Sequence, residues 1–192
     1  MSTGALAAAP GYQARGDLVS VASATSATNA AAITWQWSSF DDLTGADLYE
    51  VLALRQAVFV VEQNCIFPDI DGADRQAFHL LGWQGQGAGR MLTAYLRCLP
   101  AGVKFAECSI GRIVSAPGVR GSGIGKQLVA EGLRRTAALY PRQPIRIGAQ
   151  QHLERFYAGF GFDTVSAPYS EDDIMHIEML RAGDAHTDCA PS

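Results

Sequence analysis

The chain has 192 residues, 48% of them hydrophobic and 18% charged, with 15 basic against 19 acidic side chains and a net charge of −4. That is an ordinary globular composition in a length suited to one domain, and the negative balance argues against a nucleic-acid footprint. No apolar run approaches the length of a membrane span, and Cys65, Cys98, Cys108 and Cys189 lack the C-x-x-C spacing of a zinc site or a disulfide framework, so a reduced, cytoplasmic setting is the simplest expectation.

Residues 1–32 are rich in Ala, Ser and Thr, with neither strand alternation nor a helical stripe, and are expected to form a flexible extension. Arg15 is their one basic residue and no useful apolar segment is present, so a secretory signal is not expected. The folded domain is expected over 33–181, with 182–192 as a flexible tail. Ile33 to Ser38 alternates around Trp35 and Trp37 and reads as a strand. Thr44 or Asp47 can cap the helix that follows, where Leu48, Val51, Leu52, Arg55, Val58 and Phe59 lie along one stripe. Arg55 is out of place there. It is expected to pair with a buried carboxylate or carbonyl, a ligand contact being the other reading.

Glu62 to Asp74 carries turn residues without a period, and such long loops often carry function. Asp69, Asp71 and Asp74 invite a calcium reading, but an EF-hand loop needs its glycine at the sixth position and Gly72 comes fourth from Asp69. Turn and helix capping is the expectation. Phe78 to Trp83 and Met91 to Leu99 form two strands joined by a glycine-rich turn, and a further strand starts near Glu107. After a long helix stopped by Pro141 and Pro144, Ile145 to Gln150 reads as a strand. Leu153, Phe156, Tyr157 and Phe160 mark a short helix, and Phe162 to Val165 and Ile174 to Leu180 are the last strands. The order is βα, three strands, then αβαββ, an α/β chain without internal repeats.

The stretch from Gly111 to Val129 carries the strongest chemistry. A strand ending in Ile113 and Val114 is broken by Pro117 and Gly118, and Arg120, Gly121, Gly123 and Gly125 lead into a helix whose face carries Ile124, Leu128, Gly132 and Leu133, extended by Ala137 and Tyr140. The opening of a helix presents unpaired N–H groups and a positive dipole end, which together bind phosphate, and glycines let the ligand come close. Arg120 and Lys126 add positive charge. The dinucleotide fingerprint does not fit, because the glycines run G-x-G-x-G. Nor does the nucleotide P-loop, because Arg120 and Gln127 stand where it needs glycine and Ser or Thr. A glycine-rich helix start without a ligand is the alternative.

Arg120-x-x-Gly123-x-Gly125 resembles the coenzyme A pyrophosphate loop of the GNAT N-acetyltransferases. The element order around it resembles that family too, as does Phe156-Tyr157-Ala158-Gly159-Phe160-Gly161-Phe162, where the family often has a tyrosine followed by Gly-Phe. Leu54 to Gln63, Asp69-Ile70-Asp71, Ile147 to Gln150 and His176 to Met179 are similar to the ElaA-like subgroup, and the matches span residues 33 to 181. The resemblance implies the acyl-CoA N-acyltransferase fold, a mixed central sheet of about seven strands with flanking helices. It implies that Arg120, Gly121, Ser122, Gly123, Ile124, Gly125 and Lys126 hold the pyrophosphate of acetyl-CoA. Ile113 and Val114 would offer backbone groups to the pantetheine arm, and Gln150 would bond that arm where many members have Asn.

The implied reaction is transfer of the acetyl group to a primary amine by direct attack, with Tyr157 protonating the departing sulfur. The other reading of Tyr157 is a core aromatic, since it shares a face with Leu153 and Phe160. The base is open among Glu107, which shares a strand face with Ser109 and Ile113, and His176, His79 and Glu62, or a water relay. No metal is implied. Glu62, Asp69, Asp71, Asp74 and the run Glu171-Asp172-Asp173 fall in loops that border the acceptor side in the family, which favours a cationic amine, solvated turn carboxylates being the other reading. A non-catalytic coenzyme-binding or protein-interaction module on the same fold is the alternative, and a homodimer stays open.

Overall fold

The computed structural model describes residues 32–183; the expected N-terminal extension up to residue 31 and the tail from residue 184 lie outside the described residues. The first strand, β1, is Thr34–Ser39. Helix α1, Gly45–Arg55, starts where the sequence offers a cap: the Thr44 hydroxyl accepts from the Asp47 N–H at 3.0 Å. The helix then widens into π-helical turns over Gln56–Glu62, a local form that recurs at functional sites. Strands β2 (Phe78–Gln84), β3 (Met91–Leu99) and β4 (Cys108–Ser115) follow, then α2 (Ile124–Leu139), β5 (Ile145–Gln150) and the short α3 (Glu154–Ala158). The chain closes with β6 (Asp163–Thr164), β7 (Tyr169–Glu171) and β8 (Ile174–Arg181).

These strands form one 8-stranded mixed sheet in the order β1-β2-β3-β4-β5-β8-β6, with β7 also paired to β8. The sheet has one strand more than the sequence predicts, β7, whose three residues are too few and too exposed to alternate. On one face Leu80, Leu96, Cys98, Ile110, Ile147 and Met179 pack with Ile124, Leu128, Val129 and Leu133 of α2. Helix α2 lies very close here: a Cβ on Gly132 would stand 2.5 Å from a Leu96 methyl, which accounts for the glycine on the buried stripe. On the other face Val51 of α1 and Val58 of the π-helical turns pack with Leu81, Trp83, Tyr95 and Val114.

Two irregularities prepare the site. Strand β4 pairs with β5 in parallel at Cys108↔Ile145 and Ser109↔Arg146, and beyond these residues the pairing stops, while β5 stays bonded to β8 as far as Gln150↔His176. The strands therefore splay. Between the pairs Arg97↔Gly111 and Tyr95↔Val114, β4 carries one extra residue, with Arg112 at φ 50°. A bulge of this kind reverses which face later side chains meet. Accordingly Ile110 belongs to the α2-side core and Val114 to the α1-side core.

Candidate active site

The splay opens a cleft of about 920 Å³, with Ile113, Val114, Gln150, Tyr157 and His176 all in its walls. It runs up to Ser115 and Arg120, which also line an adjoining hollow with Gly123, Gly125, Lys126 and Phe156. The predicted coenzyme residues are thus brought to one place. Gly121 and Gly123 sit at φ 80° and 86°, a region L side chains avoid, and no atom lies within 4 Å of a Cβ built on Gly121, Gly123 or Gly125. Lys126 and Gln127 donate back to the Gly123 carbonyl, while the amides of Gly123, Ile124 and Gly125 make no hydrogen bond among the described residues. Open space, unspent N–H groups and two cations fit a pyrophosphate. Ser122 fits less well than expected: its hydroxyl donates to the Val119 carbonyl at 2.6 Å and it lines neither hollow.

Arg120 holds Glu62 of the opposite wall through two bonds of 2.7 and 2.9 Å. Hydrogen bonding and charge lower the Glu62 carboxyl and raise the guanidinium. Gln150, at the end of β5, donates to Gln63 Oε1 at 3.4 Å, so its amide does face the cleft. Tyr157 is 6% exposed and packs edge-on to Phe156 and Phe162. Tyr157 is a core aromatic, as one of its two sequence readings has it, and it also forms part of the cleft wall. Burial pushes its hydroxyl up to about 12, so it stays protonated at neutral pH.

The candidate bases separate clearly. Glu107 precedes β4, does not line the cleft, and is clasped by Arg146 through bonds of 2.8 and 2.7 Å. The Arg146 hydrogen bonds hold its carboxyl at about 2. That clasp corrects the expectation of a base there, since a carboxylate so held has little affinity for a proton. His79 is fully buried between the Tyr95 hydroxyl at 2.8 Å and the Asp74 carbonyl at 3.0 Å, and burial lowers its pKa; it is a satisfied core histidine. His176 does line the cleft. Its ring stacks on Tyr169, and its Nδ1 must donate to the Ile174 carbonyl at 2.9 Å, since a carbonyl only accepts. In the neutral ring this leaves Nε2 as the proton acceptor.

In the loop between the π-helical turns and β2, the expected turn capping is present at Asp71, whose carboxylate accepts from the Ala73 N–H at 3.1 Å. The aspartates of this loop also hold arginines, Arg55 among them as expected. Arg55, 0% exposed, reaches Asp69 and Asp74, each at 2.8 Å; Arg97 reaches Asp71 at 2.6 Å and Asp74 at 2.9 Å; Arg112 lies 2.7 Å from Asp69. Burial works to raise the Asp71 and Asp74 carboxyls, but the arginines override it and hold both below the usual carboxylate range. Three carboxylates against three guanidinium groups leave little net field, so the part of the cationic-acceptor expectation that rested on these aspartates falls. Sequence reading found Arg55 through its misfit on an apolar stripe. It missed Arg97 and Arg112, which sit in strands where no period marks them. It also missed Gln63, Lys104 and Cys65 in the cleft wall.

A mixed sheet splayed between β4 and β5, opening onto a glycine-rich start of the following helix, is the architecture of an acyl-CoA N-acyltransferase. The family pattern described as acetyltransferase (GNAT) domain matches residues 101–181. The sequence is 41% identical to protein ElaA of Escherichia coli over 151 residues, covering 78% of this chain and 96% of that protein. It is 41% identical over 148 residues to a UPF0039 protein of Synechocystis sp., covering 77% of this chain and 94% of that one. The crystal structure of E. coli ElaA superposes with a TM-score of 0.72 at 40% identity, over 78% of this chain and 99% of ElaA. An acyl-CoA N-acyltransferase from Pseudomonas aeruginosa gives 0.74 at 40% identity, over 79% and 100% of the two chains. The chain belongs to the GNAT acetyltransferase family, in its ElaA-like group. Among the described residues no helix is long and apolar enough to cross a membrane.

Proposed function

We propose that the protein transfers the acetyl group of acetyl-CoA to a primary amine. The observation that carries this reading is the continuity of the β4–β5 splay with the open glycine cradle at Gly121–Gly125. A pyrophosphate fits the cradle and its two cations, and the pantetheine arm fits the gap where β4 and β5 leave their facing backbone groups unpaired. Backbone N–H at the bulge near Ile113 and Val114 can polarise a thioester carbonyl lying there. Gln150 bonds the arm by exchanging its contact with Gln63.

Direct attack asks this chain to do two things with protons. His176 Nε2, directly or through a water, accepts a proton from the incoming ammonium. Tyr157, protonated at neutral pH, donates a hydrogen bond to the departing sulfur, which favours charge build-up there in the transition state. The acceptor reaches the thioester from the side of Glu62–Gln76 and the β7–β8 turn, both of which contribute to the cleft wall.

The test is release of free thiol from acetyl-CoA in the presence of lysine, spermidine, tyramine, glucosamine and glutamate, with coenzyme A binding followed by calorimetry. Turnover of an amine with stoichiometric acetylation supports the reading. Coenzyme A binding without turnover of any amine in a wider panel favours the non-catalytic module, and no binding removes the coenzyme assignment.

A further inference from the structure

Each aspartate of the loop from Asp69 to Asp74 is paired with arginines of α1, β3 or β4 that take no part in the glycine cradle. Glu62 is different. Its partner is Arg120, the arginine of the cradle itself, and both side chains are half exposed where they meet across the cleft. The residues after it also reach across. Gln63 accepts from Gln150 at 3.4 Å, and the Cys65 thiol donates to the Asp172 carbonyl at 3.5 Å. One short segment therefore touches the coenzyme loop, the end of β5 and the β7–β8 turn in succession.

We propose that Glu62 is the carboxylate that receives the acceptor's ammonium group, held on Arg120 in the free protein and released when the pyrophosphate of the coenzyme takes that guanidinium. The proposal rests on the coenzyme reading of the Arg120–Lys126 loop. A guanidinium fork matches a carboxylate and a pyrophosphate equally well, but the pyrophosphate carries more charge and brings the cradle amides with it. An exposed pair such as Glu62–Arg120 holds weakly, so it gives way. The freed carboxylate is then left beside a bound polyanion, where a cation is the partner that lowers its energy. The other cleft-wall carboxylates are not switched in this way: Asp71 stays with Arg97 and Arg112, and Glu171 and Asp172 carry no ion pair to lose among the described residues. The acceptor class is thus a protonated primary amine that binds after the coenzyme.

Calorimetry with coenzyme A on the parent protein, Glu62→Gln and Arg120→Ala, followed by kinetics with the fastest amine of the panel, tests this. Glu131→Gln, which breaks a pair on the outer side of α2, serves as control. Glu62→Gln should bind coenzyme A about two- to five-fold more tightly, because it no longer competes for Arg120. Its KM for the amine should rise on the order of tenfold with kcat little changed, the signature of a lost charge-assisted contact. Glu62→Asp should recover part of the amine KM, and Glu131→Gln should alter neither quantity. Unchanged coenzyme affinity in Glu62→Gln, with weaker binding in Arg120→Ala, overturns the release. Tighter coenzyme binding with an unchanged amine KM overturns the acceptor role. Arg120→Ala binding coenzyme A as the parent does is a different failure, that of the coenzyme reading.

Discussion

On one side of the cleft, Pro117–Lys126 takes its shape from its own backbone: glycines at φ 80° and 86°, a proline-led turn, and the first turn of α2. On the other side, Gln63–Gln76 has little regular structure, and distant strands and α1 hold it through Arg55, Arg97 and Arg112. The first wall is local and presents main-chain atoms to open space. The second is long-range and meets the cleft by side chains. A main-chain cradle leaves few residue choices, whereas a wall hung on buried ion pairs keeps its frame while residues between the anchors vary. On that ground the glycine wall should tolerate fewer substitutions than the wall hung on ion pairs.

The anchored wall should break most severely. Arg55→Ala removes a buried partner of Asp69 and Asp74, and loss of one member of a buried pair costs about 3 kcal/mol or more in urea unfolding. Arg55→Lys should not rescue it, because an ammonium cannot span two carboxylates as the fork does. An unfolding free energy within experimental scatter of the parent would show that the loop needs no such anchor.

The local wall should lose function without losing its fold. Gly125 has ordinary φ and open space around it, so Gly125→Asp is sterically free, and a carboxylate in the first turn suits the helix dipole. The melting temperature should hold or rise slightly while coenzyme A affinity falls by about 100-fold or more, as charge and bulk meet the pyrophosphate. Undiminished affinity would place the phosphates elsewhere.

Tyr157→Phe stands between the two walls and should reduce kcat on the order of tenfold to 100-fold with coenzyme affinity unchanged. Equal kcat would leave Tyr157 with its packing role alone. The smallest effect is on pH dependence. Asp71 and Asp74 have depressed carboxyl pKa values in the folded state, so their stabilisation is present above the ordinary aspartate range and is lost as pH falls through the folded values. Thermal melts should change little between pH 8 and about 5 and drop below about 4, and Asp71→Asn should flatten that acid limb. A limb of the same steepness in Asp71→Asn would mean other carboxylates set it.

The same contrast decides what could be read from sequence. Arg120, Gly123 and Gly125 declare themselves as an open, cationic glycine turn because conformation and charge lie within a few residues of each other. The helix stripe through Ile124, Leu128 and Leu133 is local in the same sense, and each of these residues is buried. Tyr157 was legible as a position but not as a role, since core and cleft need the same aromatic. The β4–β5 splay has no local signal, because it is the absence of pairing beyond the register Cys108↔Ile145 and Ser109↔Arg146, between residues 37 apart in the chain. Glu107 misled because alternation was carried through β4 as if it were regular. The residue stands before the strand, and Arg146, alternating on β5 with Gly148 and Gln150, takes its carboxylate.

The extra residue at Arg112 also sets where the gene can change length. Most strands count in twos, but β4 takes three steps from Gly111 to Val114 where β3 takes two from Arg97 to Tyr95. Removing the codon for Arg112 would leave Gly111 opposite Arg97 and Val114 opposite Tyr95 in regular alternation, so Val114 would stay in the α1-side core and the faces downstream would hold, at the cost of the contacts to Asp69 and Asp71. Removing one codon elsewhere in β4, with the bulge kept, would turn the residues on one side of the cut to the opposite face. Point substitutions at Arg112 keep the count, lose the same two contacts and meet the local preference for a left-handed residue. This backbone step is thus the place in β4 where a single-residue change of length leaves the strand pairing on both sides intact.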